Sequence, residues 1–269
     1  MSAHAASSSP GNDEPTSSGA TASSASTATP GATPLLRVQN LAVRYGPAQS
    51  LFDISIDVPE NSALAVLGSN GAGKSTLARA LSGLVPSASG KIFFAGKDIT
   101  KWSSTKIRHA GLIHLPEGRG VFPGLTVQEN LRMALVTERS GNRDGALDRA
   151  FELFPVLGQR RKQLAGTLSG GEQQMLSLAR ALMVTPRLVI ADEMSLGLAP
   201  KLVDVVFESL EKARRAGVAV LMIEQFAGRA LAFADQAIIL QRGMVSWSGR
   251  ADDAGEELLH AYLGGATAA

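Results

Sequence analysis

The chain has 269 residues, of which 26 are Lys or Arg and 24 are Asp or Glu, so its formal net charge is only +2. The basic residues are scattered with few aromatic residues among them, which argues against a nucleic-acid-binding surface. The absence of cysteine excludes disulfides, thiolate metal sites and cysteine nucleophiles, and no apolar run approaches the ~18 to 20 residues that span a bilayer. A membrane role would therefore come through a partner.

The chain begins with a segment that we expect to be a disordered tail, residues 1–34. It consists almost entirely of Ala, Ser, Thr, Pro and Gly, which supply too little apolar surface to offset the entropy of ordering it. A strand-like pattern follows from Leu35 to Tyr45, and residues 51–58 alternate as a half-exposed antiparallel strand does. Tyr45 either stacks on a purine base or packs on the sheet, and the local pattern leaves both open.

A glycine-rich segment then lies between a buried, strand-like run, residues 63–67, and a helix-like run. Its backbone N–H groups and the dipole of the following helix favour phosphate binding, with Lys74 reaching the β and γ phosphates and Ser75 ligating Mg²⁺. The alternative is an ordinary turn before a helix, but the strand–loop–helix context favours a nucleotide site. We call this segment the phosphate loop, and its candidate nucleotide-binding residues are Gly68, Ser69, Asn70, Gly71, Ala72, Gly73, Lys74, Ser75 and Thr76.

Two further strands are predicted at 90–96 and 111–116, and the pattern from about 127 to 164 is mostly helical. Helices inserted into a sheet-based nucleotide fold suggest a subdomain that rotates against the core. Next, Ser169 and Glu172 have the spacing of a capping box for the helix that follows. Gly170 and Gly171 leave the start of that helix bare, so its N–H groups and the Ser169 hydroxyl can also receive a phosphate.

An apolar strand ends in Asp192 and Glu193, the expected second half of a phosphate-loop metal site. Asp192 would hold Mg²⁺, and Glu193 would polarise the attacking water. A helix is predicted from Pro200 to about residue 217, and a buried strand, 218–223, ends in Glu224-Gln225. The remaining strands, at 237–240 and 244–247, and a final helix to residue 263 are assigned no chemistry.

These motifs occur in the order phosphate loop, LSGGEQ string (168–173) and strand ending in Asp-Glu. In this order the chain resembles the ATP-binding-cassette (ABC) ATPases over about 35–265. This resemblance implies an α/β fold, an ABC-type P-loop NTPase with a RecA-like core sheet, an antiparallel β subdomain and an inserted helical subdomain at about 102–164. It also implies that two cassettes pair head to tail around ATP. Ser169 and Gly171 would touch the nucleotide of the partner, while Tyr45 stacks on adenine in its own half.

The linking segments resemble one branch of that family, the smaller ATP-binding subunit of high-affinity branched-chain amino acid importers. Those segments are LPEGR (115–119), VFP (121–123), LTVQENL (125–131), ELFP (152–155), SLGLAP (195–200) and AYLGG (261–265). The partners implied are integral-membrane permease subunits, a second ABC ATPase subunit and, indirectly, an extracytoplasmic solute-binding protein. The second ATPase is expected to be a paralogue, with a homodimer as the alternative, at the cytoplasmic face of the inner or plasma membrane. Urea, short amides or aromatic acids are alternative solutes.

Several positions depart from most cassettes. Glu117, at the hinge of the helical region, stands in place of Gln, and Gln225 in place of His, as in the resembling branch. Gln225 would donate a hydrogen bond to the γ-phosphate but does not titrate. Met194 replaces the usual Pro and is expected to relax the backbone beside Glu193. This change would affect the rate of ATP hydrolysis more than nucleotide binding. A cassette that binds ATP only to gate a partner therefore stays an alternative. The histidines, at positions 4, 109, 114 and 260, lack ligand spacing and are expected to be structural or exposed.

Two other classes are disfavoured. Soluble cassettes that act on nucleic acid or ribosomes usually carry two cassettes or a long coiled-coil insertion, and this chain has neither. A phosphate-loop kinase or GTPase has no need of LSGGEQ, and the chain lacks an Asn-Lys-x-Asp guanine-binding string.

Overall fold

The computed structural model describes residues 33–118, 120–136, 143–225 and 227–255. Nearly all of the expected tail and the predicted final helix to residue 263, with its AYLGG segment, lie outside the described residues. In chain order the elements are β1 (Leu36–Tyr45), β2 (Ala48–Val58), β3 (Ala63–Leu67), α1 (Lys74–Leu81), β4 (Ser89–Phe94), β5 (Lys97–Asp98), α2 (Ser104–His109), β6 (Leu112–Leu115), α3 (Val127–Ala134), α4 (Arg143–Leu153), α5 (Pro155–Gln159), α6 (Gly170–Leu182), β7 (Leu188–Asp192), α7 (Pro200–Arg215), β8 (Ala219–Glu224), α8 (Ala227–Phe233), β9 (Gln236–Gln241) and β10 (Met244–Arg250).

The larger sheet has six strands in the order β10-β9-β3-β8-β7-β6. It is parallel from β9 to β6, and β10 runs antiparallel along its edge. Every residue of β3, β7 and β8 is buried, because apolar elements cover both faces of a parallel sheet of this kind. Alternate residues of β3 accordingly point into two different hydrophobic clusters.

The smaller sheet is antiparallel, in the order β2-β1-β4-β5. The predicted strand at 51–58 is confirmed as part of β2, which pairs with β1 from Leu36 opposite Val58 to Tyr45 opposite Ala48. The apolar side chains of this sheet share a cluster with α1 and with one face of the larger sheet. The two sheets with their helices confirm the predicted α/β cassette fold.

The helices α3 to α6 form the hydrophobic cluster on the other face of the larger sheet. The helical subdomain expected at about 102–164 also contains β6, the strand predicted at 111–116, which pairs with β7 in the core sheet. Helices uninterrupted by a sheet strand therefore begin at Val127. No helix among the described residues is long and apolar enough to cross a bilayer.

Asn130 fixes the loop that leads into α3. Its side chain is fully buried, and its amide oxygen accepts from Phe122 N at 2.8 Å while its nitrogen donates to Phe122 O at 2.9 Å and Thr126 O at 3.0 Å. A buried amide with all these partners holds backbone that has no helix or strand ladder of its own. The loop that ends at Thr126 is thus fixed to the start of α3, although its residues 122–124 are exposed.

Candidate active site

The phosphate loop turns sharply between β3 and α1, and two of its glycines are required by space. A Cβ at Gly68 would lie 2.6 Å from Leu240 O, and one at Gly73 would lie 2.7 Å from Leu51 Cδ2. Gly73 also has φ +108°, a left-handed conformation that is strained for any residue with a side chain. The loop is therefore clamped between β9 and the β1–β2 hairpin, with a further hydrogen bond of 3.1 Å between Ser50 Oγ and Thr76 Oγ1.

Lys74 folds back across this loop. Its ammonium donates to Gly68 O at 2.9 Å and lies 3.4 Å from Glu193 Oε1, and the residue is only 5% exposed. A buried ammonium needs such partners because burial without them is costly. The arrangement places the cation of α1 against the carboxylate that follows β7.

The residues predicted to hold a metal also meet. Ser75 Oγ lies 3.5 Å from Asp192 Oδ1, and the other oxygen, Oδ2, lies 3.8 Å from His114 Nε2. His114 is on β6 with its Nδ1 atom 3.1 Å from Ser82 Oγ, and its Nε2 atom is buried without a hydrogen-bond partner. The hydroxyl and carboxylate are hard oxygen donors, which suit Mg²⁺.

Glu193 leaves the end of β7 in an unusual conformation. Its φ is +50°, a value that residues other than glycine rarely adopt, and its N–H donates to Ile223 O at 2.9 Å. Met194 next to it is 3% exposed, with its Sδ atom 2.9 Å from Gln174 Nε2 of α6. The side chain that replaces the usual proline is thus fixed in the core.

Glu224 ends the buried strand β8 and is itself only 3% exposed. Burial raises the pKa of Glu224 to about 7, against hydrogen bonds from Ser195 that lower it, and the nearby charges of Glu193 and Asp192 raise it further. The hydroxyl of Ser195 donates to Oε2 at 2.7 Å and its N–H to Oε1 at 3.3 Å.

The remaining predicted nucleotide residues lie around this edge. Tyr45 is 44% exposed at the end of β1, so its ring is available on the hairpin that borders the phosphate loop. Gln225 is half-buried directly after β8, and Glu117 is exposed in the turn after β6. None of these positions has a described bond to the phosphate loop.

The LSGGEQ helix, α6, begins with the predicted capping box, which is confirmed. Ser169 Oγ accepts from Glu172 N, Glu172 Oε2 accepts from Ser169 N at 2.9 Å, and Glu172 Oε1 pairs with Arg160 Nε at 3.0 Å. A Cβ at Gly171 would lie 2.1 Å from Leu202 Cδ1, so a side chain there would displace Leu202 of α7. Within the described ranges 68–76 and 169–172, no hydrogen bond or ion pair joins the two motifs.

The structure therefore brings together Lys74, Ser75, Asp192 and Glu193, and leaves the LSGGEQ cluster apart from them. The sequence motifs did not indicate that Glu224, Ser195 and His114 belong to the site. An acid at the end of a wholly apolar strand was a usable signal for Glu224. His114 gave none, because its neighbours come from distant parts of the sequence.

Comparisons with known proteins found similar sequences and similar structures. Residues 51–195 match the family model described as ABC transporter. The chain is 42% identical over 233 residues, 86% of this chain and all of the other, to the high-affinity branched-chain amino acid transport ATP-binding protein BraG of Pseudomonas aeruginosa. It is 37% identical, over 81% of this chain and 93% of the other, to a probable branched-chain amino acid transport ATP-binding protein, LivF, of Archaeoglobus fulgidus. The crystal structure of the ADP conformation of MJ1267, an ATP-binding cassette of an ABC transporter, superposes with TM-score 0.74 at 26% identity, covering 86% of this chain and 95% of that one.

The raised pKa of Glu224 predicts a pH-dependent stability. The folded state binds this proton more tightly than the unfolded chain, so Glu224 costs no stability below about pH 4.5, and the cost grows as pH rises to about 7. Glu224→Gln removes the cost, so the free energy of unfolding of the variant relative to wild type should increase by about 3 kcal/mol between pH 4.5 and 8. Urea denaturation at both pH values measures this. Glu208→Gln, on the exposed side of α7, controls for the loss of one charge, and a difference that stays constant with pH would contradict the assignment.

Proposed function

The chain belongs to the ABC transporter family as one of its ATPases, and from that premise we propose that it hydrolyses MgATP between two cassettes to drive uptake of branched-chain amino acids or related polar solutes. The observation that carries the proposal is the convergence of Lys74, Ser75, Asp192 and Glu193 at one edge of the larger sheet. These are the cation, metal ligands and base that phosphoryl transfer to water requires.

Binding and hydrolysis are assigned to different residues. The N–H groups of residues 68–76 cradle the phosphates, and Lys74 exchanges its present carbonyl partners for β and γ phosphate oxygens, where its charge stabilises the transition state. Glu193, already beside Lys74, orients the water for in-line attack on the γ-phosphate. Gln225 donates a hydrogen bond to that phosphate, and Tyr45 stacks on adenine.

Mg²⁺ fits the oxygen donors at the site. Ser75 and Asp192 would hold it, and the bound ion would neutralise charge that develops on the phosphate oxygens. His114 stands on the other side of the Asp192 carboxylate, with its Nε2 atom 3.8 Å from Oδ2.

The composite arrangement explains why the LSGGEQ cluster is separate from the phosphate loop of its own chain. Ser169, exposed at the start of α6, together with Gly170, Gly171 and Glu172, would complete the nucleotide site of a neighbouring cassette. We propose a paralogue as that neighbour, with a second copy of this chain as the alternative.

The transported solute is proposed from relatives whose names specify branched-chain amino acids, at 42% and 37% identity. Urea, short amides or aromatic acids remain the alternative solutes, and a cassette that gates a non-transport partner remains the alternative role. The working location proposed is peripheral, at the cytoplasmic face of the inner or plasma membrane against permease subunits, with a solute-binding protein acting indirectly. The cassette domain is proposed to span 35–265, with its helical region, about 102–164 and Glu117 at its hinge, passing nucleotide state to the permease.

Glu193→Gln tests the hydrolytic assignment. We expect ATP affinity to survive and turnover to fall by roughly 10² to 10³, because the amide cannot polarise the water as the carboxylate does. Phosphate release and binding of a fluorescent ATP analogue measure the two effects. Lys74→Ala should instead abolish binding, whereas the exposed Lys106→Ala serves as the matched control. Unimpaired hydrolysis in Glu193→Gln would remove that residue from its role.

A crosslink tests the composite site, and the absence of cysteine from the chain gives a clean background. Cysteines at Ser169 and at Asn70, one in each of two chains, should form an intermolecular disulfide when ATP is present in a hydrolysis-deficient background. Non-reducing gel electrophoresis detects it. Cysteines at Asn70 and the exposed Lys212 provide the control pair. No ATP-dependent crosslink in any pairing, with a copy or with a paralogue, would contradict the head-to-tail arrangement.

Uptake measurements test the solute. Cells or vesicles that carry the transporter should accumulate labelled leucine, isoleucine or valine with wild-type chain and not with Lys74→Ala, because import requires ATP binding. Labelled urea and labelled benzoate in the same assay address the urea and aromatic-acid alternatives. Accumulation of either of those without the aliphatic amino acids would overturn the solute while leaving the ATPase assignment intact.

A further inference from the structure

A contact links the segment that follows β7 to the end of β8, the strand that lies between β7 and β3 in the larger sheet. Ser195 makes two hydrogen bonds to the Glu224 carboxylate, from its hydroxyl at 2.7 Å and its N–H at 3.3 Å. Glu224 is 3% exposed, and Ser195 is half-buried. Paired donors to a buried carboxylate fix the position of the backbone that carries them.

This contact lies just beyond a residue in a strained conformation. Glu193 has φ +50°, and such a conformation persists in a residue other than glycine only where the surroundings determine it. Its own N–H is anchored to Ile223 O at 2.9 Å. Two residues later, Ser195 is anchored to Glu224. The turn that aims Glu193 is therefore held before and after by consecutive residues of β8.

We infer that Glu224 is a positioning residue for hydrolysis, which acts through Ser195 to hold the backbone of Glu193 so that its carboxylate faces Lys74 and the attacking water. The inference rests on the proposed role of Glu193. The same contact ties the segment after β7 to Gln225, which directly follows Glu224 in the chain. The groups assigned to the γ-phosphate from β7 and from β8 thus move as one unit.

A contribution to stability alone does not account for Glu224. Burial and the neighbouring acids make this carboxyl costly to ionise, with its pKa raised to about 7, so an apolar residue of similar size would suit the site better. Both protonation states keep a bond with Ser195, because the carboxyl group has an acceptor oxygen in each. A glutamine also keeps these partners, whereas a leucine keeps only the volume.

Four variants separate positioning from packing: Glu224→Gln, Glu224→Leu, Ser195→Thr and Ser195→Ala. They are measured in the full chain reconstituted with its permease, as kcat, ATP affinity and melting temperature. We expect Glu224→Leu and Ser195→Ala to lower kcat at least tenfold with ATP affinity within threefold of wild type. Glu224→Gln and Ser195→Thr should stay within threefold in both. The loss of kcat in Glu224→Leu should not be accompanied by a lower melting temperature.

A matched control and a double variant complete the test. Ser209→Ala removes a buried hydroxyl that donates to Val205 O at 2.7 Å on α7, and it should leave kcat unchanged. The double variant Ser195→Ala/Glu224→Leu should be no slower than the slower single variant, because both remove one contact. Multiplicative losses, an unchanged kcat in Ser195→Ala, or equal losses in Glu224→Gln and Glu224→Leu would each overturn the inference. Glu193→Gln is measured alongside these variants. If it retains turnover, the proposed role of Glu193 fails; if it loses turnover, the outcomes above count against the role of Glu224 alone.

Discussion

The register of three parallel strands determines the active site. Leu67 at the end of β3 lies opposite Glu224 of β8, and Ile223 lies opposite Asp192 of β7, so three strand ends meet at one edge of the sheet. The phosphate loop leaves one of these ends and the catalytic acids leave another. Because a slip of one residue would turn every side chain of a strand to the opposite face, the apolar filling of both faces also fixes the site. The hydrophobic core is thus the element that aligns the charged groups.

Short-range patterns predicted much of this. Continuous apolar runs identified β3, β7 and β8, the Ser169–Glu172 spacing identified the cap of α6, and the phosphate loop follows from its own residues. The helices α8 and α2 were not predicted, because their hydrophobic periodicity is weak. The helix α8 buries only Ala227 and Ala230, which give almost no hydrophobic signal, and α2 is a short helix of six residues. Contacts between distant segments could not be predicted either, because the pairs Ser195–Glu224 and His114–Asp192 exist only once the sheet is assembled.

The site is also where the chain departs from what stability alone favours. Lys74 is buried, Glu224 is a nearly inaccessible acid, and Glu193 occupies a left-handed conformation. Each of these is unfavourable by itself, and each is offset by a specific partner on a neighbouring strand or loop. These three local conflicts lie at one edge of the sheet, where groups must be held ready for phosphate. Met194, fixed under Gln174 of α6, adds packing where a proline would have restricted the backbone directly.

The helix α6 joins the LSGGEQ cluster to the segment that follows Glu117. Ser169 caps its start, while near its other end Arg180 donates to Gly120 O and its guanidinium lies 5.0 Å from the Phe122 ring. Burial and the charge of Arg108 lower the pKa of Arg180. The buried guanidinium is therefore stabilised by its contacts with Gly120 O and the Phe122 ring and not by water. The exposed Phe122 loop is thus held by the same helix whose start carries the LSGGEQ cluster.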